Sequence, residues 1–285
     1  MKKFFVITNE TRDPKSMKAA SISEYIRSRG GVCEYASIER DSGKDDAGIQ
    51  KIMELSEDTE AAIILGGDGT FIQCAGLLAK KKIPMIGVNL GHLGYLAEVD
   101  KEKITPALER LMNDDHEITG RMILSGTPVI NGESLGEYNA VNDIVVKTSG
   151  SSVGSFLIEV NDTYLTTISG DGIVVATPTG STAYNMSAGG PIIEPGSSMI
   201  VITPICPLEV VSRSVVLSAN DTVVIKLIRP SGKVSKSAEV FFDGRETHTL
   251  SDNDSVVIRK SSESIKLIKL SRESFLEVLS RKMSV

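Results

Sequence analysis

The sequence predicts a two-domain chain: an α/β domain on a doubly wound, mostly parallel sheet, then a β-rich domain. Three observations carry this prediction. Apolar strand-like runs alternate with helical stretches through the first third of the chain. After about residue 117 the texture changes to short β-branched runs separated by Asn131-Gly132, Asn161-Asp162, Asn220-Asp221 and Asp252-Asn253 turn signals. The 285 residues are 41% hydrophobic and 24% charged, which is enough to bury sizeable cores and excludes a largely disordered chain.

Phe4-Phe5-Val6-Ile7 predicts a first buried strand; the apolar run is too short for a cleavable leader, which needs about 7–15 apolar residues. Asp13-Pro14 predicts an N-cap and first helical residue, with Gly30-Gly31 as the stop. The continuous apolar run Ala61-Ala62-Ile63-Ile64-Leu65 is what a strand covered on both faces requires. Thr70 to Lys82 predicts a helix whose basic last turn complements its dipole. Met85 to Val88 predicts another buried strand and Ile104 to Met112 a short helix, so the alternation implies a parallel sheet. The later runs at 143–147, 156–160, 172–176, 222–228, 255–259 and 265–270 predict an antiparallel domain. Phe275, Leu276 and Leu279 lie at helical spacing and predict a last helix packing back on the first domain. The expected division is 1–118, with 271–285 returning to it, and 119–270.

Lys plus Arg number 31 and Asp plus Glu 37, a net charge of −6, which argues against non-specific nucleic-acid or anionic-membrane binding. No apolar run reaches the roughly 18 residues of a membrane span. Cys33, Cys74 and Cys206 are far apart with no CxxC, and His92, His116 and His248 form no HExxH. A disulfide framework or structural zinc site is therefore not expected, and a cytoplasmic location is.

Gly66-Gly67-Asp68-Gly69-Thr70 follows a strand and opens a helix. Such a junction offers unpaired N–H groups and the positive end of a dipole, and glycines let a phosphate approach the backbone. A carboxylate there serves a purpose if it takes a proton from an attacking hydroxyl or holds Mg²⁺. The turn is neither a GxxxxGK[ST] loop nor a GxGxxG fingerprint. Asn89-Leu90-Gly91-His92-Leu93-Gly94 follows the next strand and should lie on the same carboxyl-end edge, where His92 is a candidate phosphate contact. Ser169-Gly170-Asp171-Gly172, a strand, and then Thr177 to Tyr184 make a third block. Its hydroxyl-rich turn, Thr179 and Thr182 included, suits a sugar or amide ligand, and Asp171 suits ribose hydroxyls. Asn142-Asp143 and Asp243-Gly244-Arg245, taken singly, read as turns.

Together and in this order, GGDGT (66–70), NLGHLGYL (89–96), AVNDIVV (140–146), SGDGIVVATPTGSTAYNMSAGGPII (169–193), TPICPLEVVSR (203–213) and DGR (243–245) resemble the NAD kinase family. The resemblance implies a site between the two domains, a homodimer or homotetramer, and phosphoryl transfer from ATP or polyphosphate, with Mg²⁺ on the donor, to the 2′-hydroxyl of NAD. It makes Asp68 the general base. Gly66, Gly67, Gly69 and Thr70, with Asn89 and His92, become the phosphate and nucleotide contacts. Asn142, Asp143, Asp171, Thr179, Thr182, Ala183, Tyr184, Ser187 and Arg245 become NAD contacts, beside Asp68 and Gly69. Asp143 stands where the family usually has Glu, Ser169 where a basic residue often precedes GDG, and Arg245 where Gln is usual; Arg245 suits a more anionic ligand. Because GGDGT is shared with lipid kinases, a lipid kinase is one alternative. A non-catalytic NAD(P) sensor is another.

Overall fold

The computed structural model describes residues 1–39, 46–91, 94–150, 153–210, 212–230, 232 and 236–283. They form two compact units, residues 1–121 with 263–285, and residues 122–262.

The first unit begins β1 (Lys3–Asn9), α1 (Met17–Ser28), β2 (Val32–Ile38), α2 (Ala47–Met53), β3 (Ala61–Gly66), α3 (Asp68–Lys80), β4 (Met85–Asn89), β5 (Ala97–Asp100) and α4 (Ile104–Met112). Its strands are parallel in the order β2-β1-β3-β4, with β5 beside β4. Every residue of β3 and β4 is buried. That is why their sequences read as unbroken apolar runs rather than alternating ones. Phe4, Val6, Ile63, Leu65 and Ile86 pack with Ile22 and Ile26 of α1 and Leu108 of α4. Each such side chain contributes about 1.5–3 kcal/mol on burial. The register pairs Thr8 with Leu65 and Gly66 with Asn89, so β1, β3 and β4 all end on one edge of the sheet.

Two helix starts differ from expectation. Pro14 opens a separate 3₁₀ turn, Pro14–Ser16, in which Lys15 has φ 59°, and α1 begins only at Met17. Asp13 still serves α1 from a distance: its carboxylate accepts the Lys18 and Ala19 amides at 2.9 and 3.1 Å. The helix expected from Thr70 begins two residues earlier, which places Asp68 inside its first turn.

The second unit follows as β6 (Glu117–Ile130, which enters it from the first), β7 (Glu133–Ser134), β8 (Tyr138–Ala140), β9 (Asp143–Thr148), β10 (Gly154–Val160), β11 (Thr163–Gly170) and β12 (Gly172–Ala176). Then come α5 (Tyr184–Ser187), β13 (Met199–Ile205), β14 (Val215–Ser218), β15 (Val223–Ile228), β16 (Ala238–Phe242), β17 (Arg245–Leu250) and β18 (Ser255–Lys269). One antiparallel sheet runs β14-β13-β12-β9-β16-β17. A second runs β11-β10-β15 and adds residues 255–258 of β18. Ile144, Val146, Ile173 and Val175 of the first sheet pack against Phe156, Ile158, Ile225 and Ile258 of the second. β12 buries its other face too, where Val174 and Ala176 meet Ile193 and Val201.

The chain then returns to the first unit. Leu267 of β18 pairs in parallel with Met85, and α6 (Phe275–Met283) follows. No helix among the described residues is long and apolar enough to cross a membrane.

Candidate active site

In the first unit the site begins at the β3–α3 junction. Gly67 is the N-cap of α3 with an extended backbone, and Asp68 is the first helical residue. The Asp68 carboxylate does not cap its own helix. Its Oδ2 accepts the Tyr95 amide at 2.7 Å and its Oδ1 the Leu96 amide at 3.2 Å. A main-chain loop therefore fixes the carboxylate, while each oxygen keeps a further lone pair for a ligand. The loop approaches so closely that a Cβ on Gly94 would overlap the Asp68 carboxylate. Around Gly67 and Gly69, by contrast, no atom of another described segment lies within 4 Å of where a Cβ would stand. Nothing in those segments blocks approach to the backbone at these two glycines.

The neighbouring predicted residues divide by what their polar atoms do. Thr70 is buried, its hydroxyl turned against Gly66. Asn89 is buried and shapes the loop: its Oδ1 accepts the Gly91 amide at 2.9 Å and its Nδ2 donates to the Gly91 carbonyl at 3.2 Å. His92 lies outside the described residues.

In the second unit, Asn142 and Asp143 enter β9, and Ala176, at the end of β12, pairs with Asp143. This brings Asn142-Asp143 to the turn at Thr177. The Thr177 amide donates to the Asn142 carbonyl at 2.8 Å and its hydroxyl to the Val141 carbonyl at 2.7 Å. A Cβ on Gly180 would overlap the Asn142 carbonyl, so only glycine fits there. Much of the hydroxyl-rich run is internal scaffolding. Ser181 bonds Pro178 and Ile193, and Asn185 bonds Ser181, Pro191 and Thr203. Thr182 Oγ1 donates to the Thr179 carbonyl at 3.3 Å. Thr179 is different: its Oγ1 is buried with no hydrogen-bond partner among the described residues, an unmet polar atom of the kind a ligand satisfies. Tyr184 and Ser187 are exposed, and Ala183 is half-buried.

Asp243, read from the sequence only as a turn, positions the Asn142-Asp143 segment. It sits at φ 50° between β16 and β17, and its carboxylate accepts the amides of Val141, Asn142 and Asp143 at 2.8, 2.7 and 3.3 Å. It thereby holds the whole Asn142-Asp143 segment. Asp143 is only 5% exposed; burial, reinforced by the nearby Asp243 charge, pushes its carboxyl up to about 7. Burial also raises Asp243, to about 6, against the pull of its three amides and of the exposed Arg245. As pH rises, Asp143 is the last of the pair to lose its proton. A signal was present in the sequence, since an acid before Gly in a tight turn leaves a carboxylate to cap neighbouring backbone.

Asp171 departs from expectation. It precedes β12, whereas Asn142, Asp143 and Thr179 gather at the opposite end. Five residues of extended strand separate the two ends by about 15–20 Å. Its own amide and carbonyl bond Ile205 and Thr148. Within one chain, then, Asp171 is not brought to the Asn142 cluster.

Two family models match, described as the ATP-NAD kinase N-terminal domain, over residues 32–116, and C-terminal domain, over 141–270. The chain is 39% identical to the NAD kinase of Lachnospira eligens, covering 99% of this chain and 100% of the relative. It is 38% identical to that of Lachnoclostridium phytofermentans, covering 99% of each. Among solved structures, a yeast NADH kinase complexed with NADH superposes with a TM-score of 0.82 at 21% identity, over 99% of this chain and 88% of that one. An Archaeoglobus fulgidus NAD kinase in complex with ATP gives 0.75 at 22%, over 99% of both.

Proposed function

This chain belongs to the ATP-NAD kinase family, and on that premise we propose that it moves a phosphoryl group from ATP, or the end of polyphosphate, to the 2′-hydroxyl of the adenosine ribose of NAD, making NADP. The observation that carries the chemistry is the Asp68 carboxylate, fixed by two backbone amides beside a glycine turn open to approach. In this reading Asp68 takes the proton of the 2′-hydroxyl as that oxygen bonds to phosphorus, and the bond from phosphorus to the departing ADP oxygen breaks. Phosphoryl transfer needs positioning and charge stabilisation more than covalent help. Gly66, Gly67 and Gly69 supply backbone at the phosphates. Asn142, Asp143, Thr179, Thr182, Ala183, Tyr184 and Ser187 are assigned to NAD; protonated Asp143 donates a hydrogen bond, and Thr179 Oγ1 gains the partner it lacks. Asp171, at the far end of β12, is left out of that group within one chain.

A divalent cation such as Mg²⁺ neutralises donor phosphates in such reactions. Among the described residues no three His, Cys, Asp or Glu side chains converge on a metal position, and Mg²⁺ is commonly held by one or two carboxylates together with substrate phosphates. The cation is assigned to the donor. A homo-oligomer in the cytoplasm completes this reading.

The test is the purified full chain with Mg²⁺, ATP and NAD, NADP being read with an NADP-specific dehydrogenase. NADP formation is expected; NAD binding without NADP would instead favour a sensor. Diacylglycerol offered in parallel should remain unphosphorylated. Polyphosphate and NADH in further wells assign donor and acceptor range. In the same assay Gly94→Ala should lower kcat by about 10²-fold, because displacing a reacting group by about 1 Å has that cost. A wild-type kcat would mean that the loop yields without moving Asp68.

A further inference from the structure

One cation borders the loop that holds Asp68 and another the neighbouring Asn89–Gly91 loop of the first unit, and the reaction as described gives neither a part. Lys282 lies in the last turn of α6, its Nζ 3.9 Å from the centroid of the Tyr95 ring. Tyr95 is the residue whose amide holds Asp68 Oδ2. Partial burial draws the Lys282 ammonium below its ordinary range, and the Asp68 charge pushes it back up. Arg12 follows β1 on the same sheet edge. Its Nη1 is 3.2 Å from where a Cβ on Gly91 would stand, so the guanidinium lies across the loop that Asn89 shapes.

Helix α6 has no buried residue; only one side of it, Phe275, Val278, Leu279 and Lys282, is half-covered. A helix packed so lightly adds little to the core. What it does deliver is one ammonium, seated on an aromatic face that orients it without removing its charge. A lone carboxylate in a phosphate turn would repel a polyanionic donor. Two cations near that turn offset this repulsion, one as a point charge and one as a planar fork suited to phosphate oxygens.

We propose that Lys282 and Arg12 grip the phosphates of the donor nucleoside triphosphate beside Asp68, as positioning residues for the transferred group. This rests on the reading of Asp68 as the base of a phosphoryl transfer.

Steady-state kinetics of full-length Lys282→Gln and Arg12→Gln, varying ATP and NAD separately, test it. Each variant should raise the KM for ATP by about tenfold or more, with the KM for NAD within about twofold, since only donor charge loses a partner. Lys282→Arg should recover most of the loss. Lys282→Met keeps the apolar stem over Tyr95 and should reproduce the glutamine result should that variant melt early. An unchanged ATP KM in the glutamine variants would overturn the clamp. So would a higher kcat in Lys282→Gln, which would make the ammonium a restraint on Asp68. Calorimetric titration of ATP·Mg²⁺ separates the two readings. Wild type that makes no NADP, yet binds ATP more tightly than both variants, sinks the NAD kinase reading and keeps the clamp. An active wild type whose variants bind and turn over ATP normally does the reverse.

Discussion

Asp68→Asn should lower kcat by about 10²–10⁴-fold with the fold intact, the usual contribution of a general base. The fold should survive because Asp68 stands at the first position of α3 and packs no core side chain. The substitution has one structural cost. A carboxamide oxygen still accepts the Tyr95 amide, but its NH₂ then faces the Leu96 amide, which loses its acceptor. That is a loss of about 1–3 kcal/mol in the loop, so thermal melting should accompany the kinetics. With only basicity lost, the NAD and ATP KM values stay near wild type while kcat collapses. A kcat within about threefold of wild type would reject Asp68 as the base.

The second large effect is in stability against pH. In the folded chain Asp143 holds its proton up to about pH 7 and Asp243 is raised to about 6, whereas an unfolded Asp releases its proton near 3.9. Between those limits the native state binds more protons than the unfolded one, so stability falls as pH rises. The contribution is fully present below about pH 4, fades toward pH 7 and is then flat. For one proton over about three pH units the loss is on the order of 4 kcal/mol. Asp143→Asn keeps the shape and removes the larger of the two titrations, leaving that of Asp243. Its stability in urea should change far less than wild type between pH 5 and pH 8, and it should exceed wild type at pH 8. Parallel pH curves for the two proteins would show that the buried pair does not titrate as described. The same variant should weaken NAD binding only modestly, since an amide also donates.

The alternation of apolar runs was enough to read the parallel sheet, and unbroken burial in β3 and β4 explains why those runs lacked a polar face. The Asp68 turn was legible for the same reason: strand, glycines, acid and helix follow one another without a gap. What holds Asp68 was not, because two amides 27 and 28 residues away carry no residue signature. Asp243 was harder still, acting on backbone about 100 residues earlier through strand order alone. Lys282 and Arg12 lie outside every motif, one in a weakly packed helix and one in the turn after β1. Asp171 is the opposite case: the apolar run Gly172–Ala176 already measured how far it stands from Thr177, and its role in ribose recognition was argued without that length. His92 lies outside the described residues, so its assignment stays with the motif.

That peptide groups steady the acid has a consequence for variation. A library randomised over positions 94–96 should accept many residues at 96, and at 95 should pass most changes short of those that unseat the ammonium of Lys282. Proline alone is barred from both, for want of a hydrogen on nitrogen. Position 94 should return almost nothing but the smallest residue. Such a segment can drift in chemistry while its path through space stays put.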